Sequence, residues 1–226
     1  MKVVIVLSGG LDSTTLLYEY NEMYEMYAII FDYGQKNKRE IKFAVKTCKK
    51  LGVEYKIIKI QLDKLVSSGL MNKDIDVIDD KMRGEKMNQT TVPNRNMIFL
   101  SYAIAYAMEL DAPTILYGAQ FGSFNKDNSQ EFIDAINNAL FIVSNTLITI
   151  VAPYINLKKE DIVWRGIRYE VDYSLTYSCY VGKRLSCGKC HTCKLRLEAF
   201  EKLGKKDPIR YAERFDPKYF FQGGMY

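Results

Sequence analysis

One stretch constrains this chain more than any other: Leu7-Ser8-Gly9-Gly10-Leu11-Asp12-Ser13. Before it, Val3-Val4-Ile5-Val6-Leu7 is a β-branched apolar run that predicts a buried strand ending at the glycines. After it, Thr14 to Tyr20 predicts the body of a helix. The chain thus passes from a strand, through a tight Gly-Gly turn, into a helix N-terminus. Glycine permits positive φ and lets a ligand approach the main chain closely. The helix start offers unpaired N–H groups and about half a positive charge, and Ser8 and Ser13 add hydroxyl donors. Together these describe a pocket for an anion, most naturally phosphate or pyrophosphate. The plainer alternative is a glycine turn capped by Asp12 or Ser13. Two common phosphate loops are excluded, because the Walker Lys-Ser/Thr pair is missing and the spacing is not G-x-G-x-x-G.

Around this loop the pattern alternates. Met26–Phe31 reads as a second strand, ending at Asp32-Tyr33-Gly34-Gln35. A helix from Asn37 to Leu51, closed by Gly52, leads to a third strand over Glu54–Ile60. Residues 61–92 lose periodicity and read as a long insertion, a candidate lid. Asn94 or Asn96 is expected to cap a helix running from Asn96 to Leu110. Arg95 sits at that helix start, where the dipole does not favour a cation, which makes sense if it faces an anion. A fourth strand is expected over Thr114–Tyr117, a helix over Ser129–Ser144, a fifth strand over Ile148–Pro153 and a helix over Leu157–Tyr169. This order implies an α/β fold: a doubly wound, mainly parallel five-stranded sheet. Ligands of such sheets bind beyond the carboxyl ends of the strands, so the Ser8–Ser13 loop and Asp32–Gln35 are expected to face one pocket.

The segment after residue 174 changes character. Cys179, Cys187, Cys190 and Cys193 fall within about fifteen residues, the last three at two-residue separations. That spacing fits a closed tetrahedral thiolate site for Zn²⁺, with an iron–sulfur cluster as the alternative. His191, the single histidine, could replace one thiolate but is expected to be a bystander, and Cys48 to be packed in a helix. No stretch is long or apolar enough for a signal core or membrane span, so a cytoplasmic protein is expected and its five cysteines read as ligands or free thiols. The net charge of +5 suits a nucleotide-handling enzyme and gives no strong nucleic-acid signal. Exposed aromatics among 17 Tyr and 11 Phe would suit a homodimer. We divide the chain into 1–174, a nucleotide-binding domain, and 175–226, a metal-binding segment with a last helix over Lys194–Leu203.

The loop resembles the SGGxDS loop of the PP-loop ATP pyrophosphatases, which split ATP between the α and β phosphates. Four further pieces resemble the 7-cyano-7-deazaguanine synthase family: Phe31–Gln35, Val92–Ser101, Val171–Tyr180 and Cys187–Cys193. The resemblance runs in matching order from Lys2 to about Pro208. It implies an ATP-dependent ligase that converts 7-carboxy-7-deazaguanine and ammonia to the nitrile for queuosine or archaeosine. It further implies that Ser8, Gly9, Gly10, Leu11, Asp12 and Ser13, with Phe31 and Gln35, bind the nucleotide. Asp12 would orient the loop or help to hold Mg²⁺, Ser13 would hold pyrophosphate, and Arg95 would contact phosphate or carboxylate. Cys179, Cys187, Cys190 and Cys193 match the family's zinc ligands. One region departs: where the family has Tyr-Pro-Asp-Cys-Arg, this chain has Gln120–Gln130 without the Pro-Asp-Cys-Arg element. That departure motivates an alternative enzyme using the same adenylation to form an amide or a conjugate with another amine, including one on a protein. A tRNA-modifying PP-loop enzyme and a zinc module binding nucleic acid are the more distant alternatives.

Overall fold

The computed structural model describes residues 1–72, 74–75, 90–120, 126–143 and 147–212. Five strands form one parallel sheet: β1 (Lys2–Val6), β2 (Glu25–Asp32), β3 (Glu54–Lys59), β4 (Thr114–Leu116) and β5 (Thr149–Val151). Their spatial order is β3-β2-β1-β4-β5, and every pairing is parallel. Six α-helices connect and flank them: α1 (Leu11–Asn21), α2 (Lys38–Leu51), α3 (Arg95–Glu109), α4 (Gln130–Val143), α5 (Lys159–Arg168) and α6 (His191–Lys202).

β1 is central because it is apolar on both faces. Val3, Ile5 and Leu7 pack with Leu16 and Leu17 of α1, Ala44 and Cys48 of α2, Ile162 of α5 and Phe200 of α6. Val4 and Val6 pack on the opposite face with Leu100 and Ala103 of α3 and Ile133 and Ile136 of α4. From β1 the chain winds out to β3, then returns to the other side through β4. Strand order therefore reverses between β1 and β4, and the loops that leave these two strands diverge into a crevice.

Local signals explain most boundaries. Asn37 caps α2 by accepting the Glu40 N–H, and Gly52 ends it at φ +69, where its N–H reaches the Cys48 carbonyl. At α3 the expected cap is corrected. Asn94 occupies the N-cap position in the left-handed region at φ +57 and makes no side-chain cap bond, while Asn96 bonds to Asn128 instead. The turn from Val92-Pro93 needs a left-handed residue, which asparagine tolerates better than most. The last helix starts at His191 rather than Lys194, which puts Cys190 at its N-cap and Cys193 in its first turn. Cys48 is a buried free thiol, as expected.

Of the 61–92 insertion, residues 73 and 76–89 lie outside the described residues. Its described flanks are anchored: Leu62, Met71 and Val92 are buried in the core, and the Lys36 N–H bonds to the Leu70 carbonyl at 2.8 Å. Of the departing stretch Gln120–Gln130, residues 121–125 also lie outside the described residues, as does Ser144 at the expected end of α4.

Candidate active site

The loop after β1 turns through Gly9 at φ +75. A Cβ there would lie 2.1 Å from the Glu40 carbonyl oxygen, so only glycine lets the loop pass against α2. The two serines fasten the loop on itself. Ser8 Oγ and Ser13 Oγ are 2.9 Å apart, the Ser8 N–H donates to Ser13 Oγ at 3.2 Å, and the Gly10 N–H donates to Ser8 Oγ at 3.2 Å. Gly10 is the N-cap of α1 and no side chain caps that end. Of the two expected caps, Ser13 closes the loop back on Ser8 and leaves the helix end itself uncapped. The first turn of α1 instead presents backbone donors and a positive dipole end at the crevice. Gly118, just past β4, packs on Ser13, so the loop sits at the point where strand order reverses.

Asp12 would leave an anion site with the wrong charge if it stood alone. Both of its carboxylate oxygens accept from Lys159 Nζ at 2.7 Å. Lys159 is the first residue of α5 and its side chain is 15% exposed. Sequence reading missed it. The signal was present, because a lysine at a helix start is as anomalous as Arg95 at the start of α3.

Arg95 opens α3 with its guanidinium 5.9 Å from the Tyr33 ring centroid. Burial works against its charge, while the phenols of Tyr33, Tyr117 and Tyr180 favour it, and its pKa is raised. Burial in turn pushes Tyr33 up to about 12. No carboxylate among the described residues lies within ion-pair distance of Arg95. It is a half-buried cation with tyrosines around it. Tyr117 adjoins Gly118, which touches Ser13, so Arg95 and the loop share the end of β4.

The other expected nucleotide contacts are placed differently. Leu11 is in the core, and Phe31 is 5% exposed and stacked on Phe99 at 4.2 Å between centroids. The Gln35 side chain is consumed by its own turn: Oε1 accepts the Tyr33 N–H at 2.8 Å, and Nε2 donates to the Phe31 carbonyl and to Glu40 Oε1, each at 3.0 Å. All three side chains are buried.

The four cysteines converge. Cys179, Cys187, Cys190 and Cys193 place their sulfurs within 4.8 Å of one another, with 3.9 Å between Cys187 and Cys193. A tetrahedron of sulfurs about 2.3 Å from one ion has edges of about 3.8 Å. Cys187 Sγ also accepts the Lys189 and Cys190 N–H groups at 3.4 and 3.2 Å. Hydrogen bonding from Cys179 and the neighbouring thiols holds the Cys187 thiol far below its usual range. His191 is exposed and stands outside the sulfur group.

This metal segment is braced to the loop. The Tyr177 N–H donates to the Gly9 carbonyl at 3.0 Å. Tyr173 Oη and Thr15 Oγ1 are 2.9 Å apart. Arg196, fully buried, donates to both oxygens of Asp207 at 2.7 and 2.9 Å, to Thr176 Oγ1 at 2.6 Å and to the Tyr173 carbonyl at 3.2 Å. Tyr180, carried on the same segment, lies within electrostatic reach of Arg95.

Comparison with known proteins gives consistent results. The family described as queuosine biosynthesis protein QueC matches residues 2–204. The 7-cyano-7-deazaguanine synthase of Caldicellulosiruptor bescii is 46% identical over 220 residues, covering 96% of this chain and 100% of that protein. The enzyme of the same name from Methanoregula boonei is 45% identical over 215 residues, covering 93% of this chain and 99% of that one. Among solved structures, NMN synthetase from Francisella tularensis aligns with a TM-score of 0.52 at 16% identity, over 90% of this chain and 77% of that one, a likeness of fold.

Proposed function

This chain belongs to the family of queuosine biosynthesis protein QueC, and from that premise we propose that it is an ATP-dependent 7-cyano-7-deazaguanine synthase, a carbon–nitrogen ligase. Relatives at 40–46% identity over nearly the whole chain carry that one name. The amide-forming, conjugating and tRNA-modifying alternatives are therefore not favoured. The observation that carries the reading is Arg95, a half-buried cation with no carboxylate partner among the described residues, beside an uncapped helix start.

A carboxylate is a poor electrophile. ATP supplies its activation: adenylation of the acid releases pyrophosphate, ammonia displaces AMP to give an amide, and a second adenylation on the amide oxygen followed by loss of AMP leaves the nitrile. Arg95 holds the acid's carboxylate. Ser8, Ser13 and the first-turn N–H groups of α1 receive the phosphate charge as it develops, and Lys159 adds a cation at the same place. Asp12 orients Lys159 and the loop. Both of its oxygens are occupied by that lysine, so Asp12 is a poor Mg²⁺ ligand in this state. The chain's contribution is positioning and charge stabilisation, with no covalent nucleophile.

The four cysteines would hold one Zn²⁺. Single-ion spacing supports zinc over a multi-iron cluster, and four thiolates close its shell, so its role is structural. We assign 1–174 to nucleotide and acid binding and 175–226 to bracing that site through the metal. Among the described residues no helix is long and apolar enough to cross a membrane, in keeping with cytoplasmic work on small molecules.

The test is a mass-spectrometric product assay with ATP, Mg²⁺, 7-carboxy-7-deazaguanine and ammonia. The nitrile with pyrophosphate and AMP is expected. An amide that goes no further, or no ATP cleavage, would overturn the assignment.

A further inference from the structure

Glu40 lies in the first turn of α2, between the two halves of the site. Its Oε1 accepts from Gln35 Nε2 at 3.0 Å, and its Oε2 accepts from Asn37 Nδ2 at 2.9 Å. Both oxygens act as acceptors, so neither position can be taken by an N–H donor without losing a bond. Gln35 passes the grip on, since its remaining bonds reach the Phe31 carbonyl and the Tyr33 N–H. Asn37 returns it by accepting the Glu40 N–H at 3.4 Å. One half-buried carboxyl group thus closes the whole turn from Phe31 to Asn37. That turn carries Tyr33, the ring beneath Arg95. The Glu40 backbone meanwhile abuts the phosphate loop, because its carbonyl oxygen fills the space where Gly9 lacks a side chain. The charged groups that reach the Glu40 side chain are Arg95 from α3 and Asp32 from the end of β2, the latter paired with Lys38.

We propose that Glu40 is a positioning residue for the reaction: it sets the distance between the acid bound at Arg95 and the phosphate loop, by closing the Phe31–Asn37 turn with its side chain and abutting Gly9 with its backbone. This rests on the reading of Arg95 given above. A neutral amide in its place can accept from only one of the two donors, and the turn opens on one side.

The test is Glu40→Gln in the full chain, with Glu40→Asp as the conservative variant. For Glu40→Gln, kcat/KM for the acid is expected to fall 30- to 100-fold, KM for ATP to stay within threefold, and the Tyr33 amide to exchange at least tenfold faster with solvent. Glu40→Asp, which keeps a carboxylate on a shorter stem, is expected to fall between the two. An unchanged kcat/KM for the acid, or a rise in KM for ATP as large as that for the acid, would overturn the proposal. Amide exchange is read without turnover. If the wild-type chain converts no acid, the functional reading fails by itself, and unchanged Tyr33 protection in Glu40→Gln then overturns the role of Glu40 separately. Should Glu40→Gln not fold, Glu40→Asp with wild-type kinetics and protection would refute it.

Discussion

Substituting alanine for Gly9 isolates what the phosphate loop requires. Two costs add. The first is conformational: a residue with a Cβ at φ +75 costs about 1–2 kcal/mol. The second is steric. The new Cβ would lie 2.1 Å from the Glu40 carbonyl oxygen, 2.9 Å from its carbon and 3.0 Å from the Ala44 nitrogen. These are backbone atoms of a packed helix and cannot swing aside, so overpacking adds about 1–3 kcal/mol. The loop must move by about an ångström, and the bond from Tyr177 to the Gly9 carbonyl, worth about 1 kcal/mol, is strained or lost. A destabilisation of about 4 kcal/mol follows, with kcat falling about 100-fold because the phosphate donors are displaced. Gly52 supplies the control. It has nearly the same backbone at φ +69, but a Cβ there meets nothing within 4 Å. Gly52→Ala is expected to cost about 1 kcal/mol and leave turnover unchanged. Urea denaturation of both variants, with pyrophosphate release measured alongside, tests the comparison. If Gly9→Ala unfolds within 0.5 kcal/mol of Gly52→Ala, on the order of the additivity error, and keeps wild-type pyrophosphate release, the steric reasoning is refuted.

Four further outcomes are expected. Lys159→Met should lower the rate of pyrophosphate release about 100-fold, as removal of a transition-state donor does, and restoring half of that loss by adding Asp12→Asn would show that the unpaired carboxylate is part of the harm. Cys190→Ser should abolish stoichiometric metal in the purified chain, measured by elemental analysis, and lower the unfolding midpoint; unaltered metal content would refute the ligand assignment. Arg196→Met should cost about 3–5 kcal/mol in denaturant unfolding because it leaves buried Asp207 without its cation, with only the Ile209 N–H and the Tyr211 hydroxyl as donors, and a loss below 1 kcal/mol would contradict that. Burial pushes Glu40 up to about 7, so between pH 4.5 and 7 the native state holds that proton more tightly than the unfolded chain. The stability it contributes is present at pH 4.5 and is lost as pH rises through 7, and Glu40→Gln should flatten that slope in unfolding measured from pH 5 to 7.5.

What the sequence made legible was local. The strand–Gly-Gly–helix loop, the Asn37 and Gly52 ends of α2 and the four-cysteine pattern each carry their signal within a few residues, and the structure has them there. What it concealed was long-range or context-dependent. Asp12 meets its lysine 147 residues away, and no pattern within either segment names the other. Phe31 and Gln35 belong to a motif at a strand end, yet motif membership does not say which way a side chain turns: one stacks on Phe99 and the other folds back on its own turn. Asn94 was readable as a cap by residue type, but the geometry after Pro93 used its tolerance of positive φ instead.

The brace across the phosphate loop has a consequence for the time order of folding. The loop lies far ahead of its partners along the chain: Lys159 for Asp12, Tyr173 for Thr15 at a separation of 158, and Tyr177 for Gly9. Contacts this remote must wait for the entropy of a very long closure to be met by the sheet and α5. The β1–α1 unit can form early, whereas the bonds that brace its loop are completed only when the cysteine segment docks. Nascent chains halted before residue 177 should therefore hold strand and helix but no competent phosphate site, and recovery of activity on refolding should trail recovery of secondary structure.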